Sequence, residues 1–296
     1  QIRTLLDPEI DLDIRMTTPE VDAGQLAYEA IERGAHMIIA SGGDGTLSEA
    51  AEAVVGTSIP LGIISRGTAN AFASALGIPD TIEDACQTIL GGATKVVDAA
   101  QCNGKRMVLL AGIGFEAEVV EKADRQTKNR FGMLAYILAG VKQLQEFDTF
   151  ETTIETDQKV FTVNACAVTI ANAAPSTSIL AQGPAGIIYD DGLLDLTVVA
   201  PANRTGAIAS AYHLLQTALR GNAADRDDIG YLRAKRIKVT AQPPQKVVVD
   251  GEIFGTTPVE VECLPGGLTI LVPMTQEIQP LERLEGLPEY RVEQKL

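Results

Sequence analysis

No C-x-x-C pair occurs in these 296 residues. The four cysteines, Cys86, Cys102, Cys166 and Cys263, lie far apart, which excludes a paired-cysteine metal or redox motif and fits a reducing compartment, so a cytoplasmic location is expected. No apolar run approaches the roughly 20 residues of a membrane span. The opening QIRTLLDPEI lacks the basic and apolar regions of a signal peptide, so neither spanning nor secretion is expected. Basic residues are scarce: 24 Lys and Arg stand against 39 Asp and Glu, a formal charge of −15. That balance argues against a nucleic-acid partner and against simple electrostatic docking on an anionic membrane. It leaves room for a small anion, which backbone N–H groups and one or two cations can hold. Neither of the two histidines is expected to be catalytic, since His36 opens an apolar run and His213 lies in a helical one, each without a partner in sequence.

A composition of 46% hydrophobic and 21% charged residues supports a large core, and the length suggests roughly two domains. The first part alternates helical and strand-like segments as an α/β layer does. Residues 11–16, 36–40 and 59–64 read as strands; 28–33, 47–55 and 69–76 read as helical, and a further helix opens on the capping pair Thr81 and Asp84 and ends at Gly91-Gly92. Residues 1–6 resemble the end of a helix, so the first strand of such a domain is expected to lie outside this sequence. After about residue 94 the runs become strand-like: 95–102, 105–113, 150–156, 160–170, 193–199, 236–240, 246–249, 259–263 and 268–272, with Asn103-Gly104 as a tight hairpin turn. Helices are expected at 131–144 and 204–219. The expected organisation is an α/β domain over 1–94, a mainly antiparallel β domain over 95–273, and a tail over 274–296 that packs back on the first domain.

The strand ending near Ala40 runs into Ser41-Gly42-Gly43-Asp44-Gly45-Thr46 and then a helix. Glycines there let backbone approach an anion, and the helix start offers free N–H groups, a geometry suited to a di- or triphosphate. A turn capped by Thr46, with Glu49 completing a capping box, explains the same residues, and both readings stand. Asp44 has no structural duty visible in the sequence, and a carboxylate beside phosphate is costly unless it holds a metal or accepts a proton. The next strand runs into Ser65-Arg66-Gly67-Thr68-Ala69-Asn70. Neighbouring strand ends of a parallel sheet face one crevice, where Arg66, Thr68 and Asn70 would reach the same nucleotide; Thr68 or Asn70 as a plain helix cap is the competing explanation.

GGDGT, then GTAN at 67–70, DDGLLD at 190–195 and DGE at 250–252, in this order, resemble the diacylglycerol kinase catalytic family, in particular the bacterial diacylglycerol kinase and YegS-like lipid kinases. GGDGT alone is shared with NAD kinases and sphingosine kinases, so a kinase for NAD or a sphingoid base is the first rival, and a catalytically silent nucleotide- or lipid-binding regulator is the second. The resemblance implies a three-layer, NAD kinase-like α/β domain, a β-sandwich and a cleft between them, with Mg-ATP phosphorylating a hydroxyl of a diacylglycerol-like lipid. It implies that Gly42, Gly43, Asp44, Gly45 and Thr46 hold phosphates and Mg²⁺, that Arg66, Gly67, Thr68 and Asn70 complete the nucleotide site, and that Asp98 joins the metal-water network. Asp250 and Glu252 would be the proton-accepting pair, with Asp44 beside them in catalysis, and a structural Mg²⁺ would sit on the Asp191 side chain and the Leu193 carbonyl. Asp-Gly at 250–251 as simple hairpin chemistry, and Asp190-Asp191-Gly192 as a simple turn, remain open alternatives. A lipid substrate implies transient membrane contact, and the family is compatible with a homodimer. Three departures stand out: Ala71 where the family has Asp, Ser65 where it has Pro, and no early Asn-Pro element. The apolar stretch 131–138 reads as core, with a border on a lipid channel as the alternative.

Overall fold

The computed structural model describes residues 1–115, 117, 149–183, 186–222 and 224–274. The expected helix at 131–144 and the tail beyond 274 lie outside them.

The chain opens with α1 (Ile2–Leu6) and α2 (Ala23–Glu32), followed by β1 (Ile38–Gly42), α3 (Asp44–Val54), β2 (Leu61–Ser65), α4 (Ala71–Ala75) and α5 (Ile82–Gly91). Strands β1 and β2 are parallel, and their side chains alternate between two cores. Ile38, Ala40, Leu61 and Ile63 face α2 and α3 through Ala27, Leu47, Ala50 and Val54. Ile39 and Ile64 face α1 and α5 through Leu6, Ala85 and Ile89. Helices on both faces of the sheet make the three layers. Thr81 caps α5 by accepting the Asp84 N–H at 3.1 Å, and Gly92 closes it with φ 66°. Residues 11–16, expected as a strand, form none; Asp13 and Arg15 pair with each other in solvent instead.

The β part comprises β3 (Thr94–Cys102), β4 (Lys105–Met107), β5 (Leu110–Gly114), β6 (Phe150–Thr156), β7 (Val160–Ala165), β8 (Ala167–Ala171), β9 (Leu194–Val199), α6 (Arg204–Arg220), β10 (Ile229–Ala234), β11 (Arg236–Gln242), β12 (Lys246–Val249), β13 (Glu252–Thr256) and β14 (Val259–Leu271). One sheet runs β1-β2-β14-β11-β6-β7, with β3 and β4 attached through β14; the other, fully antiparallel, runs β10-β9-β8-β5-β12-β13. Period-two residues from both sheets fill the sandwich: Ile237, Val239, Val259, Val261 and Cys263 meet Ile113, Ile170, Leu194, Leu196, Val247 and Val249. The two halves share a sheet. Strand β14 pairs β3 along Val261–Leu271, while β11 takes its other edge at one end and β2 reaches Ile270 at the far end.

Two expected single strands divide between the sheets. Residues 105–113 split into β4 and β5 because the N–H groups of Val108, Leu109 and Leu110 donate to the Asp250 carboxylate at 2.8, 3.0 and 3.0 Å, which frees the chain to change sheets. Residues 160–170 split at Cys166. Conversely, 259–263 and 268–272 are one strand with a bulge between Leu264 and Leu268. Strands β10 and β13 escaped the sequence reading because β13 is mostly exposed and β10 alternates poorly.

Candidate active site

The two glycine loops leave the ends of β1 and β2 and are locked together. Arg66 N–H donates to the Gly42 carbonyl at 2.7 Å. A Cβ on Gly67 would stand 2.8 Å from the Gly43 Cα, so only glycine lets the loops touch. Gly43 is the N-cap of α3, and Asp44, Gly45 and Thr46 form its first turn, whose N–H groups have no intrahelical acceptor. Such a helix start can cradle an anion, with the helix dipole behind it. The Thr46–Glu49 capping box does not form: the helix starts earlier, and Glu49 instead accepts the Ala23 N–H at 3.1 Å, tying α3 to α2. Arg66 and Thr68 are exposed beside the cradle. Asn70, at φ 47°, accepts the Gly67 N–H at 2.9 Å rather than capping α4. The capping duty falls to Asp44, whose Oδ1 accepts the Phe72 N–H at 3.1 Å. So Asp44 does have a structural role, one that crosses between loops and is therefore invisible locally; its Oδ2 has no partner among the described residues. The hydroxyls of Ser41, Ser48 and Ser65, bordering these loops, are buried without a partner among the described residues, a cost that a polar ligand or water would relieve.

Asp250 and Gly251, at φ 48° and 86°, form the two-residue turn between β12 and β13. The backbone is thus not extended here, and Glu252 pairs across the hairpin with Val249 rather than sharing a strand face with Asp250. The Asp250 carboxylate takes two N–H bonds on Oδ1, from Leu109 and Leu110, and one on Oδ2, from Val108. Burial pushes it up to about 6, against the pull of those three N–H groups and of Lys105. Lys105 Nζ lies 3.0 Å from Glu252 and 3.9 Å from Glu52 on α3. Burial works to lower the Lys105 ammonium, but Glu252, Glu52 and Asp250 hold it above its ordinary value. Burial likewise raises the Glu52 carboxyl.

Asp98 lies in a third place. Buried on β3, it accepts the Gly192 N–H at 2.7 Å and the Gly266 N–H at 2.8 Å, fastening the 190–192 turn and the β14 bulge to one strand. At that turn Asp191 accepts the Leu193 N–H at 3.2 Å and is paired with Arg233, which also holds Asp195 at 2.9 Å. Both Asp191 oxygens are therefore engaged, and the turn carries a cation of its own where a divalent ion was expected. No hydrogen bond or ion pair among the described residues joins Asp44, Asp98 and Asp250 to one another, and no group of three or more carboxylate, His or Cys side chains among them is arranged to hold a metal.

Three residues were missed by the sequence reading. Lys105 and Arg233 meet their partners only through tertiary pairing. Asn172, buried, donates to the carbonyls of Asp98 and Val108, both at 3.0 Å, and so links the Asp98 strand to the segment that binds Asp250. None of the three belongs to a local motif.

Residues 1–102 match the diacylglycerol kinase catalytic domain, and residues 110–272 match the YegS C-terminal NAD kinase beta sandwich-like domain. The chain is 33% identical to a diacylglycerol kinase of Bacillus subtilis over 276 residues, 92% of this chain and 86% of that one. A probable YegS-like lipid kinase of Xanthomonas oryzae pv. oryzae is 29% identical over 282 residues, 92% of this chain and 90% of that one. An uncharacterized Synechocystis protein is 51% identical over 284 residues, and the chain spans 66% of its length. A solved diacylglycerol kinase from Bacillus anthracis has the same fold, with TM-score 0.70 and 25% identity over 91% of this chain and 90% of that one.

Proposed function

We propose that this chain, which belongs to the diacylglycerol kinase family of lipid kinases, transfers the γ-phosphate of ATP to a hydroxyl of a diacylglycerol-like lipid. The observation that carries this reading is the contact of the two glycine loops, which turns the first N–H groups of α3, with Arg66 and Thr68 beside them, into one phosphate cradle. The open Oδ2 of Asp44 is the protein oxygen suited to a Mg²⁺ held with the ATP phosphates, and such an ion would offset charge on those phosphates.

Asp250 is the group assigned to the lipid hydroxyl. A carboxylate offers about four lone pairs. Three are taken, which leaves one on Oδ2. The hydroxyl proton passes to that oxygen, the lipid oxygen bonds to the γ-phosphorus, and the bond to the β,γ-bridging oxygen breaks to release ADP. Glu252 holds Lys105 in the same neighbourhood and so sets the local field. The test is transfer of labelled γ-phosphate from ATP to diacylglycerol, monoacylglycerol, phosphatidylglycerol, a sphingoid base and NAD. Label on diacylglycerol supports the reading; label on NAD or the sphingoid base alone, or on nothing, rejects it.

A further inference from the structure

Val108, Leu109 and Leu110 donate all three of their backbone N–H groups to one carboxylate, that of Asp250, so whatever fixes this backbone also fixes the carboxylate. Their carbonyls are held as well. Asn172, which follows β8 and is 2% exposed, donates its Nδ2 to the Val108 carbonyl at 3.0 Å and its backbone N–H to the Leu109 carbonyl at 2.8 Å. The Ala173 N–H reaches the same Leu109 carbonyl at 3.1 Å, and the Leu110 carbonyl accepts the Asp250 N–H at 2.9 Å. Nδ2 of Asn172 also donates to the Asp98 carbonyl on β3 at 3.0 Å, which anchors the amide across to the other sheet.

A planar trans peptide points its C=O and its N–H in opposite directions. The Val108 carbonyl and the Leu109 N–H belong to one such unit, and the Leu109 carbonyl and the Leu110 N–H belong to the next. Asn172 therefore grips from behind the two peptides whose N–H groups meet Asp250 Oδ1. Each makes a relay from Asn172 through a peptide to the carboxylate, in which one hydrogen bond polarises the next. The third N–H, that of Val108, shares its peptide with Met107, which the β3–β4 ladder sets. Filling space does not explain Asn172. Two carbonyl acceptors fix which end of the amide is NH₂, and the Oδ1 left over is buried without a partner among the described residues, a cost that an apolar side chain of this size would not incur.

We propose that Asn172 is a positioning residue for the Asp250 carboxylate: by fixing two peptides of the 108–110 segment it holds Oδ1 in place and so aims the remaining lone pair of Oδ2 at the acceptor hydroxyl. The proposal rests on the reading of Asp250 as the proton acceptor. Asn172 takes no proton itself and acts through Val108 and Leu109. The charged and titratable groups that face Asp250 are Lys105 on β4, with Glu252 on β13 and Glu52 on α3 paired to it, and Cys102 on β3. None of these is a hydrogen-bond partner of Asn172 among the described residues, so a change at Asn172 reaches Asp250 through the two peptides. Without the grip the N–H groups of Leu109 and Leu110 are free to drift, the charged carboxylate loses support, and Asp250 ionises at higher pH.

The test is a pair of measurements on the full chain carrying Asn172→Leu. One is the rate of phosphate transfer from ATP to diacylglycerol against pH; the other is a carbon-13 NMR titration of the Asp250 carboxyl, identified by its loss in Asp250→Asn. The acid limb and the carboxyl titration should both move upward by about half a pH unit or more. Turnover at neutral pH should fall about tenfold or more, while ATP binds as it does to wild type by calorimetry. Ile154→Ala, a core change on β6, should lower the melting temperature and leave both titrations where wild type has them. Should Asn172→Leu fail to fold, Asn172→Ser, which leaves room for a water to meet the two carbonyls, must move both titrations in the same direction. A carboxyl titration that stays in place in the folded variant, or that Ile154→Ala moves as far, overturns the proposal. A titration that moves as expected in a protein whose wild type passes phosphate to no acceptor supports the hold of Asn172 on Asp250 while rejecting the kinase reading.

Discussion

The carboxylate of Asp44 accepts the backbone N–H of Phe72 at 3.1 Å, so a side chain from one glycine loop caps the helix launched by the other. Asp44→Ala removes both the cap and the charge, and should cost about 0.5–2 kcal/mol of stability as well as turnover. Asp44→Asn keeps the acceptor. It should melt near the wild-type temperature and still lose most turnover; wild-type turnover in that variant would remove Asp44 from the chemistry.

Asp250 titrates near 6 where an ordinary carboxylate titrates near 4. The native protein then holds this proton more tightly than the unfolded chain does, so the contribution of this group to stability falls as pH rises from about 4 to about 6. Only above that window is Asp250 the carboxylate that the proposed proton transfer requires. Activity should therefore fall about tenfold per pH unit below about 6 while this stability contribution rises, a divergence that a pH-rate profile and pH-dependent melting measure together.

Asp250→Asn should lose on the order of 10²-fold or more in turnover. It replaces one acceptor oxygen by an NH₂ group facing a backbone N–H, so it should also lose about 1–3 kcal/mol of stability, and turnover must be read below its melting temperature. Normal turnover by the folded variant would show that the proton leaves elsewhere.

Lys105 stabilises the charged form of Asp250. Lys105→Gln should move the acid limb of the pH-rate profile upward and weaken turnover near neutral pH. An unmoved limb would show that the ammonium has no influence on the base.

Gly67→Ala would press a methyl group to 2.8 Å from the Gly43 Cα and 2.9 Å from Asn70 Oδ1. ATP should bind at least tenfold more weakly by calorimetry, since the loops must part.

Arg233 neutralises Asp191 and the buried Asp195. Chelation should leave the melting temperature unchanged. Arg233→Met should destabilise by less than the about 3–5 kcal/mol of a fully buried pair, and Mg²⁺ should then restore part of the loss.

The α/β layer, most β-strands and the glycine loops were legible because each announces itself within a dozen residues through period, glycine or capping pairs. The Asp44–Phe72 cap was not, since its partners lie 28 residues apart. The same distance problem hid the Asp250 anchorage, in which three N–H donors about 140 residues away decide where a strand changes sheets. The Asp250-Gly251 turn was legible, because Asp-Gly is a hairpin pair, and left-handed conformations at both residues set Glu252 on the returning strand, across from Val249.

Strand β14 has a consequence for how this chain can be taken apart. Its Leu268 and Ile270 complete the wall behind α3, and its Leu271 completes the wall behind α5. A fragment cut after residue 102 keeps α1 to α5 yet lacks the plank that closes both of its apolar layers. Its sequence would look like a module, but heat should melt the intact protein's halves in one calorimetric transition.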